Sequence, residues 1–256
     1  MATPSATIEP ADSSGYATIV ARGKLVTDAF NVVGTNFAAI AVDQGGVALL
    51  NAGTITGAGN GVWVANNGTL EITDVSITVT GQAAVNTSNG ATVDILGMPN
   101  VFGADKTSLT GGSYGVLCHQ GNLNLFTNAG GSIHIPDNPI AGISALGCNV
   151  EANGLATGVI SISNNGVSGQ FSAALELHGD YAILNTVKIA NNLDFGISAT
   201  AAAAVEINGS TITGNSGTAI SASQNAVVDI ESFHGINTMT AGSSGSLFGC
   251  YQGGKI

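Results

Sequence analysis

The sequence predicts an all-β fold: a right-handed, single-stranded parallel β-helix of about eight to nine rungs, with three short strands in each. Three observations predict it. The phrase Gly61-Val-Trp-Val-Ala-Asn-Asn-Gly-Thr-Leu-Glu-Ile72 recurs as Ala84 to Ile95, Gly196 to Ile207 and Ala219 to Ile230. Anchoring each repeat on its first inward residue gives Ile40, Val62, Val85, Val116, Ile143, Leu175, Ile197 and Ile220, with Leu247 a ninth candidate, and four of the seven steps are 22 or 23 residues. Two residues beyond each anchor the side chain is again small or apolar. The residue between, from Ala41 and Trp63 to Ser198 and Ser221, is turned outward by the pleat.

Each element follows from local chemistry. Residues 1–35 lie outside the repeat and read as an N-terminal cap or docking arm; an uncapped rung would leave a row of amides free to polymerise. Residues 36–256 read as the helix itself. In the second rung the strands are Gly61 to Ala65, Thr69 to Thr73 and Val75 to Thr80, with Asn66-Asn67-Gly68 and Asp74 at the corners, because Asn and Gly tolerate the left-handed backbone of a tight corner. Gly, Asn, Ser, Thr and Val dominate and no long 3.6-residue stripe occurs, which disfavours helix. The run Ala199 to Ala204 aligns with Ala222 to Val227 and is therefore strand and turn. Three connections are longer than the period allows, around 97–113, 127–141 and 153–171, and these read as loops inserted into a constant rung.

On these residues, and on third-strand phrases such as Asn208-Gly-Ser-Thr-Ile-Thr-Gly-Asn215, the chain resembles the right-handed parallel β-helices of the pectate-lyase-like superfamily over residues 36–237. That group includes pectinases, phage tailspikes and surface adhesins. The resemblance implies a fold and leaves the function open, since one scaffold carries enzymes and inert adhesins.

Composition narrows the function. The 256 residues carry a formal charge of −11, which argues against nucleic acid or an anionic membrane as partner. No apolar stretch is long enough to insert in a bilayer as a helix. The start, Met1-Ala-Thr-Pro-Ser-Ala, lacks the basic and apolar segments of a secretion signal, so the chain is expected to be already processed or assembled inside a cell. Cys118, in an inward slot, Cys148, near a corner, and Cys250 form no CxxC pair and read as free thiols packed as small apolar groups.

Few residues carry chemistry. On an outward slot of the second strand, Glu71 and Asp94 fall in neighbouring rungs, as do Glu206 and Asp229. Carboxylates stacked about 4.8 Å apart repel and invite a shared proton or a cation. Such a pair could serve as glycosidase acid and nucleophile, or as a calcium site, the one cofactor these residues suggest; the alternative is a solvated acidic ladder. The resembling hydrolases carry Gly-His-Gly and Arg-x-Lys segments, of which His178-Gly179-Asp180 and His234-Gly235 are faint echoes. The resembling lyases use a basic residue, usually Arg, whereas the one arginine here, Arg22, lies outside the expected rungs. Lys188 is the only basic residue in a regular rung. Candidate binding residues are the outward Trp63 and, in the lengthened middle, Asp105, Lys106, Tyr114, His134 and Asp137, because long loops on a rigid scaffold commonly carry binding.

The expectation is a non-catalytic structural or adhesive β-helix. It would be a homotrimeric phage virion component (tail spike, fibre or capsid decoration) that binds a host glycan or neighbouring virion proteins, the latter through its N-terminal arm. Its place would be the virion or the extracellular surface. The alternatives are a secreted polysaccharide lyase or glycoside hydrolase using a carboxylate pair, and a fragment of a bacterial surface adhesin.

Overall fold

The computed structural model describes residues 6–8, 15–99, 106–155, 157–167 and 172–256. Within them are 29 strands, no helix, and three sheets of ten, nine and ten strands. Successive strands of the chain belong to different sheets, and each strand pairs in parallel with the strands three before and three after it. This is a parallel β-solenoid of nine complete turns with three strands per turn, as the repeat predicts. We call the sheets first, second and third by their order within a turn.

Stacked aliphatic columns hold the turns together. Ile40, Val62, Val85, Val116, Ile143, Leu175, Ile197 and Ile220 pair in register along the first sheet. None of the eight is more than 1 % exposed. Leu50, Ile72, Ile95, Leu125, Ala152, Leu184 and Ile207 form the matching column of the second sheet, and Ile55, Ile77, Leu109, Ile135, Ile162, Ile189 and Ile212 that of the third. Burying each Ile or Leu contributes roughly 1.5–3 kcal/mol relative to exposure, so the core is one continuous stabilising column.

The corners are built as the Asn-Gly phrases suggest. Asn66-Asn67, Asn89-Gly90, Ala201-Ala202 and Gln224-Asn225 all have positive φ. At the exit of the third strands a further device appears. Asn138, Asn165, Asn192 and Asn215 are fully buried and stacked. The backbone N–H and the side-chain amide of Asn138 both donate to Asn165 Oδ1, those of Asn165 to Asn192 Oδ1, and those of Asn192 to Asn215 Oδ1, at 2.8–3.1 Å. Gly111 N–H donates to Asn138 Oδ1 and extends the ladder one turn further.

Four expectations need correction. The repeat begins before residue 36: Ala17–Ala21, Lys24–Asp28 and Phe30–Val33 form a full turn in register with the next, Ile19 opposite Ile40 and Val32 opposite Ile55. Its outward Val20 and Val26 are 45 % and 58 % exposed, which hid the alternation from a reading that expects polar residues outside. The spans 97–113, 127–141 and 153–171 are not continuous loops either. Each contains a regular third strand, Lys106–Thr110, Ser132–Pro136 and Val159–Ser163, and the surplus residues lie on either side of it. At the last turn Phe248, rather than Leu247, pairs with Ile220, although Leu247 still packs on the core.

The fourth correction concerns cysteine. Cys118 and Cys148 are joined in a disulfide, with Cα atoms 6.4 Å apart, while Cys250 is free and exposed. Cys118 pairs in register with Ala145 of the next turn, and Cys148 lies three residues further round that corner, which brings the thiols together.

Candidate functional site

The pleat that fills the core also presents three outer faces, and the candidate residues divide among them. On the first sheet the outward column runs Val20, Ala41, Trp63, Asn86, Leu117, Ser144, Glu176, Ser198, Ser221. Trp63 is not isolated. Its ring meets Phe37 edge-on at 5.5 Å and Tyr16 at 5.8 Å, and Tyr16 stacks on Phe37 at 4.5 Å. Offset and edge contacts of this kind each add about 0.5–1.5 kcal/mol, so part of what Trp63 does is tie the first turn to the third. Tyr114 lies on the same sheet, between Ala83 and Ala141. Burial pushes its phenol above the usual range, and the nearby Glu176 charge adds to this. Burial also raises the Glu176 carboxyl, against the opposing effects of a Ser144 hydrogen bond and the His178 charge.

On the second sheet the register brings both expected carboxylate pairs together. Glu71 stands opposite Asp94, and Glu206 opposite Asp229. The whole outward column reads Val26, Leu49, Glu71, Asp94, Asn124, Glu151, Ile183, Glu206, Asp229. The two pairs are thus ends of one acidic stripe, with no cation standing in it. Asp94 Oδ1 accepts a 2.7 Å hydrogen bond from the Asn124 amide. Among the described residues, no three His, Cys, Asp or Glu side chains gather as a metal-binding group. A calcium ion at a stacked pair would therefore depend on two carboxylates and neighbouring amides.

Between the two pairs lies an open groove of about 360 Å³, lined by Thr92, Asn122, Asn124, Asn149, Val150, Glu151, Tyr181 and Ile183. Its polar groups are fixed by side-chain bonds along and across turns. Asn149 donates to Asn122 at 3.0 Å, and Asn153 donates to Glu151 while accepting from Asn185, both at 2.6 Å. Tyr181 is 48 % exposed at one edge, and Phe126, two turns further back and four residues along its strand, is 40 % exposed. The arrangement offers carboxamides and carboxylates held in rows, next to exposed ring faces. Sequence reasoning missed this site. Aligning the apolar pairs Leu123/Leu125, Val150/Ala152 and Ala182/Leu184 with Leu70/Ile72 would have placed Asn124, Glu151 and Ile183 in the slot of Glu71.

The third sheet is different again. Its outward column is Asn31, Thr54, Ser76, Ser108, His134, Ser161, Lys188, Thr211, Thr238. Lys106 projects one turn before His134 and opposite Ser132. Burial holds the His134 imidazole below its ordinary range, and Lys106 and Lys188 depress it further. Of the expected binding residues, Lys106 and His134 therefore share a face. Trp63 and Tyr114 are on another. Asp137 turns at a corner with φ of 59°, exposed, and Asp105 lies outside the described residues.

No family model matches the chain, and no curated protein or solved structure matches it either.

Proposed function

We propose that this chain is a structural, glycan-adhering β-helix of the pectate-lyase-like kind, serving as a spike, fibre or decoration on a virion or cell surface. The observation that carries this reading is the groove on the second sheet, where Asn122, Asn124, Asn149 and Glu151 stand in rows beside the exposed Tyr181. A pyranose ring needs this combination. Its apolar face packs against an aromatic ring, and its vicinal hydroxyls donate to carboxylates and exchange bonds with carboxamides. Side chains mounted on a rigid sheet and bonded to one another lose little freedom on binding, which favours affinity. The Cys118–Cys148 disulfide supports a place in an oxidising environment, as on a virion or outside a cell. The largely uncharged outer face of the first sheet supports assembly with further copies, in a trimer, or with neighbouring virion proteins.

The competing enzymatic reading rests on Glu71–Asp94 at the groove's flank, and one experiment separates the two. Dextran, galactan, polygalacturonate and a bacterial O-antigen polysaccharide are offered to the full chain in affinity electrophoresis, with reducing-end and unsaturated-product release assayed in parallel. The adhesive reading predicts retardation by at least one of these polymers without product release. Tyr181→Ala and Glu151→Gln should each weaken binding by about tenfold, the loss of roughly 1.4 kcal/mol. Product release abolished by Asp94→Asn would replace this reading with the enzymatic one, and retention unaffected by either groove variant would move the site elsewhere.

A further inference from the structure

Charge on this molecule is sorted by face. The sequence holds 16 Asp and Glu against five Lys and Arg. Yet among the described residues no Asp or Glu stands in the outward column of the third sheet, which carries Lys188 and His134 and is flanked by Lys106. Five acids, Glu71, Asp94, Glu151, Glu206 and Asp229, occupy the equivalent column of the second sheet, and Glu176 stands in that of the first. The three basic side chains also stand close together on this face. His134 and Lys188 lie in one column two turns apart, about 9.6 Å by the strand spacing, with Ser161 between them. Lys106 lies one turn to the other side, two residues along the strand from the row of His134. The residues between these long side chains are Ser108, Ser132 and Ser161, all short and hydroxylated. Long basic side chains therefore stand among small hydroxyl donors, with no carboxylate in that column to compete. A lysine placed only to keep an edge soluble needs no such company.

We propose that Lys106, His134 and Lys188, with the hydroxyls of Ser108, Ser132 and Ser161, form an anion-binding site that takes the sulfate or carboxylate group of an acidic polysaccharide. The site is separate from the groove on the second sheet and does not depend on it. Two ammonium groups and the hydroxyls bind the anion oxygens by charge-assisted and neutral hydrogen bonds. The carboxylates elsewhere repel the same polymer, so contact is confined to this face. The imidazole has Lys106 and Ser108 on the preceding strand and Ser161 and Lys188 on the following ones, and burial, with these two cations adding to it, lowers its pKa. A bound anion reverses that field, so protonation of His134 and anion binding favour one another.

The test is titration of the full chain with dextran sulfate, polygalacturonate and uncharged dextran at low ionic strength, followed by calorimetry. Saturable binding of at least one charged polymer is expected, with at least a tenfold loss in Lys106→Gln/Lys188→Gln, while any binding of uncharged dextran should be the same in that variant. Whether sulfate ester or carboxylate is the natural group is read from which polymer binds more tightly. Affinity should rise between pH 8 and pH 5.5, and His134→Gln should flatten that rise without abolishing binding. In a Tyr181→Ala background the lysine substitutions should still cost at least tenfold, which keeps this site distinguishable from the groove. Equal affinity in the double lysine variant, or no saturable binding of either charged polymer, would overturn the proposal. Circular dichroism of each variant establishes that the sheet persists, so a folding defect cannot pass for a lost site.

Discussion

Asn165 shows how much one side chain can do in a solenoid. It is fully buried, its Oδ1 accepts from both the backbone and the side chain of Asn138, and its amide donates to Ile135 O and to Asn192 Oδ1. Replacement by Ala leaves several of these partners buried and unpaired, at about 1–3 kcal/mol each before relaxation. Asn165→Ala should therefore lower stability by about 2–4 kcal/mol, measured from the urea midpoint. Asn153→Ala, on the half-buried outer face, serves as the control and should cost less than about 1 kcal/mol. A loss at Asn165 no larger than at Asn153 would mean that the ladder is ornamental. Of these asparagines only Asn215, closing the third-strand phrase that starts at Asn208, was placed from the sequence. Their inward aim was not legible, because an Asn at a turn satisfies the same local rule whether its amide faces water or the core. Glu71, Asp94, Glu206 and Asp229, by contrast, could be placed from the alternation alone, since Leu, Ile or Val on either side fixes which way each points.

Strands were readable wherever the period held. Ala199 to Ala204, which composition alone would make helical, is a strand end and a left-handed corner because its neighbours in the repeat are. Reading failed where a turn departs from the standard length. The residues around 97–113 hide the Lys106–Thr110 strand because the connection before it is long enough to break the count. The first turn hides itself because its outer face is apolar. Where the middle turns lengthen, the disulfide supplies a cross-link. It ties a first-sheet strand to the following corner and closes a sequence separation of 30 residues. On a chain-entropy basis such a loop is worth about 3–4 kcal/mol through restriction of the unfolded chain. Dithiothreitol, or the double substitution Cys118→Ala/Cys148→Ala, should shift the guanidinium midpoint by an equivalent amount, with no change in far-ultraviolet dichroism. An unshifted midpoint would mean that the two thiols are not bonded in the folded chain.

The molecule as a whole is a column whose three faces carry different chemistry: aromatic and small residues on the first sheet, acids and amides on the second, hydroxyls and cations on the third. This sorting was only partly visible in sequence, because a face emerges once every turn is registered against the next. A shift of one residue would exchange the inner and outer sets. Both proposed sites inherit their geometry from that registration, so its most direct test is a set of distances along one column. Thr56, Ser163 and Thr213 lie in one outward column of the third sheet, in the second, sixth and eighth complete turns. With the free Cys250 replaced by Ser, nitroxide pairs at 56/163 and 56/213 can be measured by pulsed electron double resonance. At about 4.8 Å per turn the stacked column predicts separations near 19 and 29 Å, growing in proportion to the number of turns between the labels. A 56/213 distance equal to or shorter than the 56/163 distance would contradict the coiled stack, and with it both binding faces.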